Sequence, residues 1–208
     1  MIEVSWWLFM ATSLLVIATP GQDMVLVMSR SIAQGTAAGI VTAAGVSVGL
    51  IGHTVLATLG LGALLRASEW LFLVLKLVGA AYLVYMGVQL LRTRQSELAI
   101  TAGAPKSLLR LFVDGALSNL SNPKIAVFYF AFLPQFVLPG ATHPTLSVFA
   151  LGLVFATLTF LVKGPIGLAS GILSKWLRSH PRFLLWIFRT SGAVLLVLGL
   201  KLALERRP

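Results

Sequence analysis

Six apolar runs, each long enough to cross a bilayer, occupy most of this chain: residues 4–29, 37–65, 70–91, 111–138, 146–173 and 183–204. A spanning helix needs about 20 apolar residues. Hydrocarbon offers the backbone no water, so each run has to close its own hydrogen bonds as a helix. The expected fold is an all-α membrane protein with six transmembrane helices. Composition agrees with this. Of 208 residues, 58% are apolar and 11% charged, against about 25% charged in a soluble domain. A single transmembrane domain over residues 1–208 is expected, with one sizeable polar linker at about 93–110. That linker holds Gly103-Ala104-Pro105, a loop signal. Met1-Ile2-Glu3-Val4 lacks a basic n-region, so the first run reads as a retained helix and not a cleaved leader.

The net charge of +10 would point a soluble chain toward nucleic acid. Here the bases fall mostly between the apolar runs, so a lipid bilayer is the expected partner and nucleic acid is not. Arg30, Arg92, Arg94, Lys106, Arg110, Lys175, Arg178, Arg182 and Arg189 follow runs one, three and five. Arg66, Lys201, Arg206 and Arg207 fall on the other side. Cytoplasmic loops carry the excess of Lys and Arg, so both termini are expected outside, although the C-terminal bases pull the other way. Trp6, Trp7, Trp70, Trp176 and Trp186 lie near run ends, as interfacial anchors do.

Zero cysteines exclude thiolate metal sites, and His53, His143 and His180 are far apart in sequence. No metal and no cofactor is expected. A hydrolase needs a nucleophile with an oriented base, and a zinc protease needs a pattern such as H-E-x-x-H. Neither is present, so no enzymatic activity is expected.

The chain repeats itself weakly. Thr19-Pro20-Gly21 matches Asn122-Pro123-Lys124, and Gly49-Leu50 matches Gly152-Leu153, both at one offset. Gly79-Ala80 with Gly87 resembles Gly192-Ala193 with Gly199. Each half (about 1–92 and 111–208) holds three spans, so the second enters the membrane upside down: two inverted three-helix repeats, a common plan of secondary transporters.

Pro20 and Pro123 fall well inside runs one and four. Proline removes a backbone donor and clashes with the preceding turn. The flanking residues also read as fresh helix starts. Thr19 would be N-cap with Pro20 at N1 and Gln22 closing a capping box, and Asn122 would be N-cap with Pro123 at N1. Helices 1 and 4 are therefore expected to be broken, at Pro20-Gly21 and at Pro123. Their new N-termini would present open N–H groups and a positive dipole end to an anionic group. Ordinary proline kinks are the alternative.

Charges beside the breaks favour function. Asp23 follows Pro20 by three residues, and Lys124 directly follows Pro123. Ionisable groups in a bilayer usually face a cavity or each other. A pair of Asp23 and Lys124 is expected, with Lys124 holding a substrate carboxylate and Asp23 holding the substrate amine or a coupling proton. A structural ion pair that fixes helix register is the alternative. Gln22, Asn119, Ser121 and Asn122 add neutral polar groups that bond either substrate or broken backbone. Lys76 and Lys163 are further pathway residues. Lys76 is expected to snorkel, and Lys163, beside Gly164-Pro165, to mark a third local break, with no partner assigned. His53 is expected to be a hydrogen-bonded core histidine. Gly35/Gly39, Gly45/Gly49 and Gly167/Gly171 have the spacing of close helix crossings.

At these residues the chain resembles the LysE/RhtB family of amino acid exporters. The resemblance rests on Ala18-Thr19-Pro20-Gly21, Ser29-Arg30, Lys76–Leu83 with Tyr85 and Gly87, Asn119–Lys124 and Phe132-Leu133-Pro134-Gln135-Phe136. It covers nearly the whole chain. It implies a bacterial inner-membrane carrier with six helices that exports a neutral or basic amino acid, driven by the proton gradient. The family's usual Pro-Gly-Pro is Pro20-Gly21-Gln22 here, and Lys163-Gly164-Pro165 is not a general family feature. Both departures bear on the substrate more than on the fold. An inorganic cation exporter of a related fold would need more intramembrane carboxylates. A membrane scaffold would leave two charged breaks unexplained. The sequence leaves the oligomeric state open, a homo-oligomer included.

Overall fold

The computed structural model describes residues 3–67, 69–93, 105–138, 140–173, 176 and 179–204. Each apolar run is helical. The first forms α1 (Trp6–Ala18) and α2 (Gln22–Gln34). The second and third form α3 (Thr36–Ala67) and α4 (Glu69–Arg92). The fourth forms α5 (Leu108–Leu120) and α6 (Pro123–Val127), then a π-turn (Phe128–Phe132) and a 3₁₀ turn (Leu133–Phe136). The last two form α7 (Pro144–Ile172) and α8 (Pro181–Leu204). Three stretches among the described residues are long and apolar enough to cross a membrane: Thr36–Gly60, Pro144–Ile172 and Arg182–Leu204. The pair α1 and α2, bent by 52° at its break, makes a fourth. Much of the linker expected at 93–110 lies outside the described residues, as do Lys175, Arg178, Arg206 and Arg207.

Small residues set the packing. α3 lies along α7 and crosses α5, while α4 lies along α8. A Cβ on Gly39 would come within 3.0 Å of the Gly167 Cα, and one on Gly45 within 2.0 Å of the Phe112 carbonyl oxygen. Gly87 and Gly192 meet in the same way between α4 and α8. Lipid tails are as apolar as leucine, so backbone proximity, not apolar burial, draws such helices together. The close crossings expected of Gly39, Gly45, Gly49, Gly167 and Gly171 are therefore present, whereas Gly35 has nothing within 4 Å of where a Cβ would sit. Gly35 ends α2 with φ of +94°, a left-handed conformation that favours glycine.

The core gathers around the irregular end of the fourth run. Phe128, Tyr129, Phe132, Leu133 and Phe136 are buried against Phe9, Leu151 and Phe155. The N-terminal segment docks on the same end, where Ser5 N donates to Phe136 O at 2.8 Å and Leu138 N to Glu3 O at 3.0 Å. The five tryptophans are exposed, from Trp6 at 39% to Trp7 at 91%.

Pro165 does not break α7, which is continuous from Pro144 to Ile172. The expected third break is thus absent. Proline removes one donor, but the neighbouring turns hold the rod. Lys76 does not snorkel either. It is buried on α4 at 8% exposure, because α4 turns that face to the packed interior.

Candidate functional site

The two breaks differ in chemistry. In the second, Asn122 is N-cap of α6, its Oδ1 accepting from Lys124 N at 3.1 Å, with Pro123 at N1. Its open N–H is therefore already filled. The first break departs from expectation. Thr19 is C-cap of α1, and its hydroxyl donates backward to Leu15 O at 2.6 Å. Gly21 is N-cap of α2 without a side-chain bond, which places Gln22 and Asp23 in the first turn. The expected capping box does not form. The carbonyl end of α1 competes for the Thr19 hydroxyl and wins, and a buried carboxylate in the first turn of α2 already meets the positive dipole end.

Lys124 reaches across to the first break. Its Nζ donates to Thr19 O at 2.9 Å and to Val16 O at 3.1 Å, with the side chain 4% exposed as a residue. An ammonium at a helix C-terminus meets both open carbonyls and the negative dipole end. That pull accounts for a second correction: no ion pair within 4.0 Å joins Asp23 and Lys124.

Asp23 is instead paired with Lys163. The Lys163 Nζ lies 3.3 Å from Asp23 Oδ2, and both side chains are almost fully buried. Asn119 Nδ2 donates to the same oxygen at 2.8 Å, and Ser118 Oγ donates to Oδ1 at 3.3 Å. A buried charge is tolerated only when it is paired and hydrogen-bonded, and this carboxylate is both. Asn119 also accepts at its backbone carbonyl from His53 Nε2 at 3.1 Å. His53 is buried, as a core histidine was expected to be, with its Nδ1 unpartnered. Asn119 Oδ1 is unpartnered as well.

Gln22 is exposed and leans on α5, its Nε2 donating to Ser118 Oγ at 3.2 Å and lying 3.4 Å from Ser118 O. These two residues stand on the wall of an open cavity of about 580 Å³ between α2 and α5. Of the expected residues, the structure thus brings together Asp23, Gln22, Asn119 and Lys163. It assigns Lys124 and Asn122 to the breaks themselves, and leaves Lys76 on α4. Ser118 was missed by sequence reasoning. The signal was available: Asp114, Ser118 and Ser121 recur at helical spacing along an otherwise apolar run.

Comparison with known proteins gives a consistent answer. The chain is 32% identical to a membrane protein of Pseudomonas aeruginosa over 95% of its own length and 94% of the relative's. It is 31% identical to the homoserine/homoserine lactone efflux protein of Salmonella typhimurium over 97% of both. A membrane protein of Vibrio cholerae is 32% identical over 95% of this chain and 96% of its own length. No solved structure matches. The model of the LysE type translocator family matches residues 14–206, and the chain belongs to that family.

Proposed function

We propose that the chain exports amino acids or related small zwitterions across the bacterial inner membrane. The observation that carries this reading is the Asp23–Lys163 pair, buried beside a broken helix and joined through Ser118 to an open polar cavity. Opposite charges 3.3 Å apart suit a solute that carries both. The substrate ammonium takes the place of Lys163 at Asp23, and the substrate carboxylate takes the place of Asp23 at Lys163. Asn119 and Gln22 complete the site. The exchange leaves no buried charge unpaired at either stage, which a low-dielectric site requires. Lys124 and Asn122 hold the two breaks open around it. The efflux function named for the Salmonella relative supports this substrate class.

Transport is coupled to the proton gradient through Asp23, whose proton uptake removes the charge that holds the substrate ammonium and so releases it. The two halves, two inverted three-helix repeats, rock about the site in alternating access. Support for the repeat comes from the packing, since α3 lies on α7 and α4 on α8, each against its counterpart. The alternation of six spans is supported by the ends of the runs, and both termini outside by the excess of bases after runs one, three and five. Glu3 and Ser5 bond to residues 136–142, while Gln34 at the other end of the first run bonds to Lys106.

The test is efflux of labelled homoserine and amino acids from loaded vesicles. Efflux is expected to stop when the proton gradient is collapsed and in Asp23→Asn. Persistence without a gradient removes proton coupling, and unchanged efflux in Asp23→Asn removes the site.

A further inference from the structure

The cavity between α2 and α5 is built of two facing stripes. Residues 22, 25, 26 and 29 line it from α2, and residues 114, 117, 118 and 121 from α5, with Lys106 at the foot. Both sets follow the i, i+3, i+4, i+7 spacing of one helix face. A face turned to lipid is apolar. Six of these nine residues are polar: Gln22, Ser29, Lys106, Asp114, Ser118 and Ser121. Acyl chains would leave such groups without partners.

The two ends of the cavity differ. At the foot, Asp114 accepts from Lys106 Nζ at 2.5 Å and from Arg110 Nε at 3.1 Å, and Lys106 and Arg110 are partly exposed. Gln34 closes the foot, donating to Lys106 O at 2.9 Å and accepting from Lys106 N at 3.2 Å. At the head stands Ser118, which accepts from Gln22 Nε2 and donates to Asp23 Oδ1. One hydroxyl therefore belongs both to the cavity wall and to the buried ion pair. A volume of about 580 Å³ falls within the range of small-molecule sites, about 300–1,000 Å³.

We propose that this cavity is a water-filled first binding site for the exported solute, opening on the Lys106 side, and that Ser118 passes the solute from it to Asp23. The identity of the solute rests on the exporter reading above; the hydration of the cavity does not. Acid and base at the foot meet the two ends of a zwitterion, and the serine and glutamine hydroxyl and amide groups replace its water on the way in.

The chain has no cysteine, so single thiols report without background. Ser29→Cys, Ser118→Cys and Ser121→Cys are placed in vesicles with the cytoplasmic face outward and treated with a charged, membrane-impermeant methanethiosulfonate. Leu161→Cys, on an exposed apolar face of α7, is the lipid-facing control. A thiol reacts as thiolate, which forms only in contact with water, so labelling at the three cavity positions is expected to be at least about ten-fold faster than at Leu161→Cys. A mixture of homoserine with the standard amino acids other than cysteine, whose own thiol would consume the reagent, is expected to slow labelling of Ser121→Cys several-fold. Labelling no faster than the control means lipid fills the cavity and overturns the proposal. Rapid labelling with no protection at any of the three positions overturns the binding site. The failure of the exporter reading is read separately, as absent efflux by the unaltered chain, and leaves the labelling contrast standing.

Discussion

Each of the two breaks carries a proline, yet they are stabilised in opposite ways. The α5–α6 break is satisfied from within, by the Asn122 cap and by Ser121 N donating to Leu117 O at 3.0 Å. The α1–α2 break has a glycine cap without a side chain, and it draws its donors for Val16 and Thr19 from Lys124 in the other half. Its carboxylate, Asp23, likewise relies on Ser118, Asn119 and Lys163. A break that closes its own hydrogen bonds keeps its shape when neighbours move. A break that borrows them responds to every displacement of the opposite half. The first break is therefore the moving part of the proposed transport cycle, and the second is the fixed part that carries Lys124 to it.

The largest effect that would sharpen this contrast is at the ion pair. Asp23→Asn or Lys163→Met alone leaves one buried charge unpaired, at a cost of about 3–5 kcal/mol, read as a lowered unfolding midpoint in detergent. Asp23→Asn combined with Lys163→Gln is expected to recover most of that loss. Equal destabilisation of the single and double variants would break the account of the pair.

Next comes Lys124→Met, which leaves the Val16 and Thr19 carbonyls without their donor at about 1–3 kcal/mol each. Amide exchange is expected to accelerate at residues 21–25 more than at 123–127. The reverse pattern would show that the second break, not the first, depends on this lysine.

Gly45→Ala puts a methyl group against the Phe112 carbonyl and is expected to cost about 1–3 kcal/mol by overpacking. It displaces α5 with Ser118 and Asn119, so efflux and stability should fall together. Asn122→Ala removes only a cap, at about 1 kcal/mol, and Asn122→Asp should retain it. A larger loss in Asn122→Ala than in Lys124→Met would invert the comparison.

Much of the fold was legible because hydrocarbon leaves so few options. The six runs fixed the helices, and Pro20 and Pro123 fixed both breaks, since a missing donor is a local property. Asn122 as cap was legible for the same reason. Partners were not. Asp23 and Lys124 each follow a break proline closely in sequence, but pairing follows three-dimensional reach, and the carbonyl end of α1 is a stronger local demand on Lys124 than a carboxylate further off. Lys163 is 140 positions from Asp23, and no spacing rule joins them. Pro165 misled because a proline close to a charged residue resembles the two real breaks, while its neighbours keep α7 whole. Ser118 was overlooked because one serine in an apolar run is unremarkable until read with Asp114 and Ser121.

The central claim is that Asp23 and Lys163 exchange partners with the solute. Its most direct test is efflux of labelled homoserine from vesicles holding Asp23→Asn/Lys163→Gln, after the variant is shown to fold. Background efflux is expected, beside rapid efflux by the unaltered chain. Efflux at the unaltered rate in the folded double variant would contradict the claim.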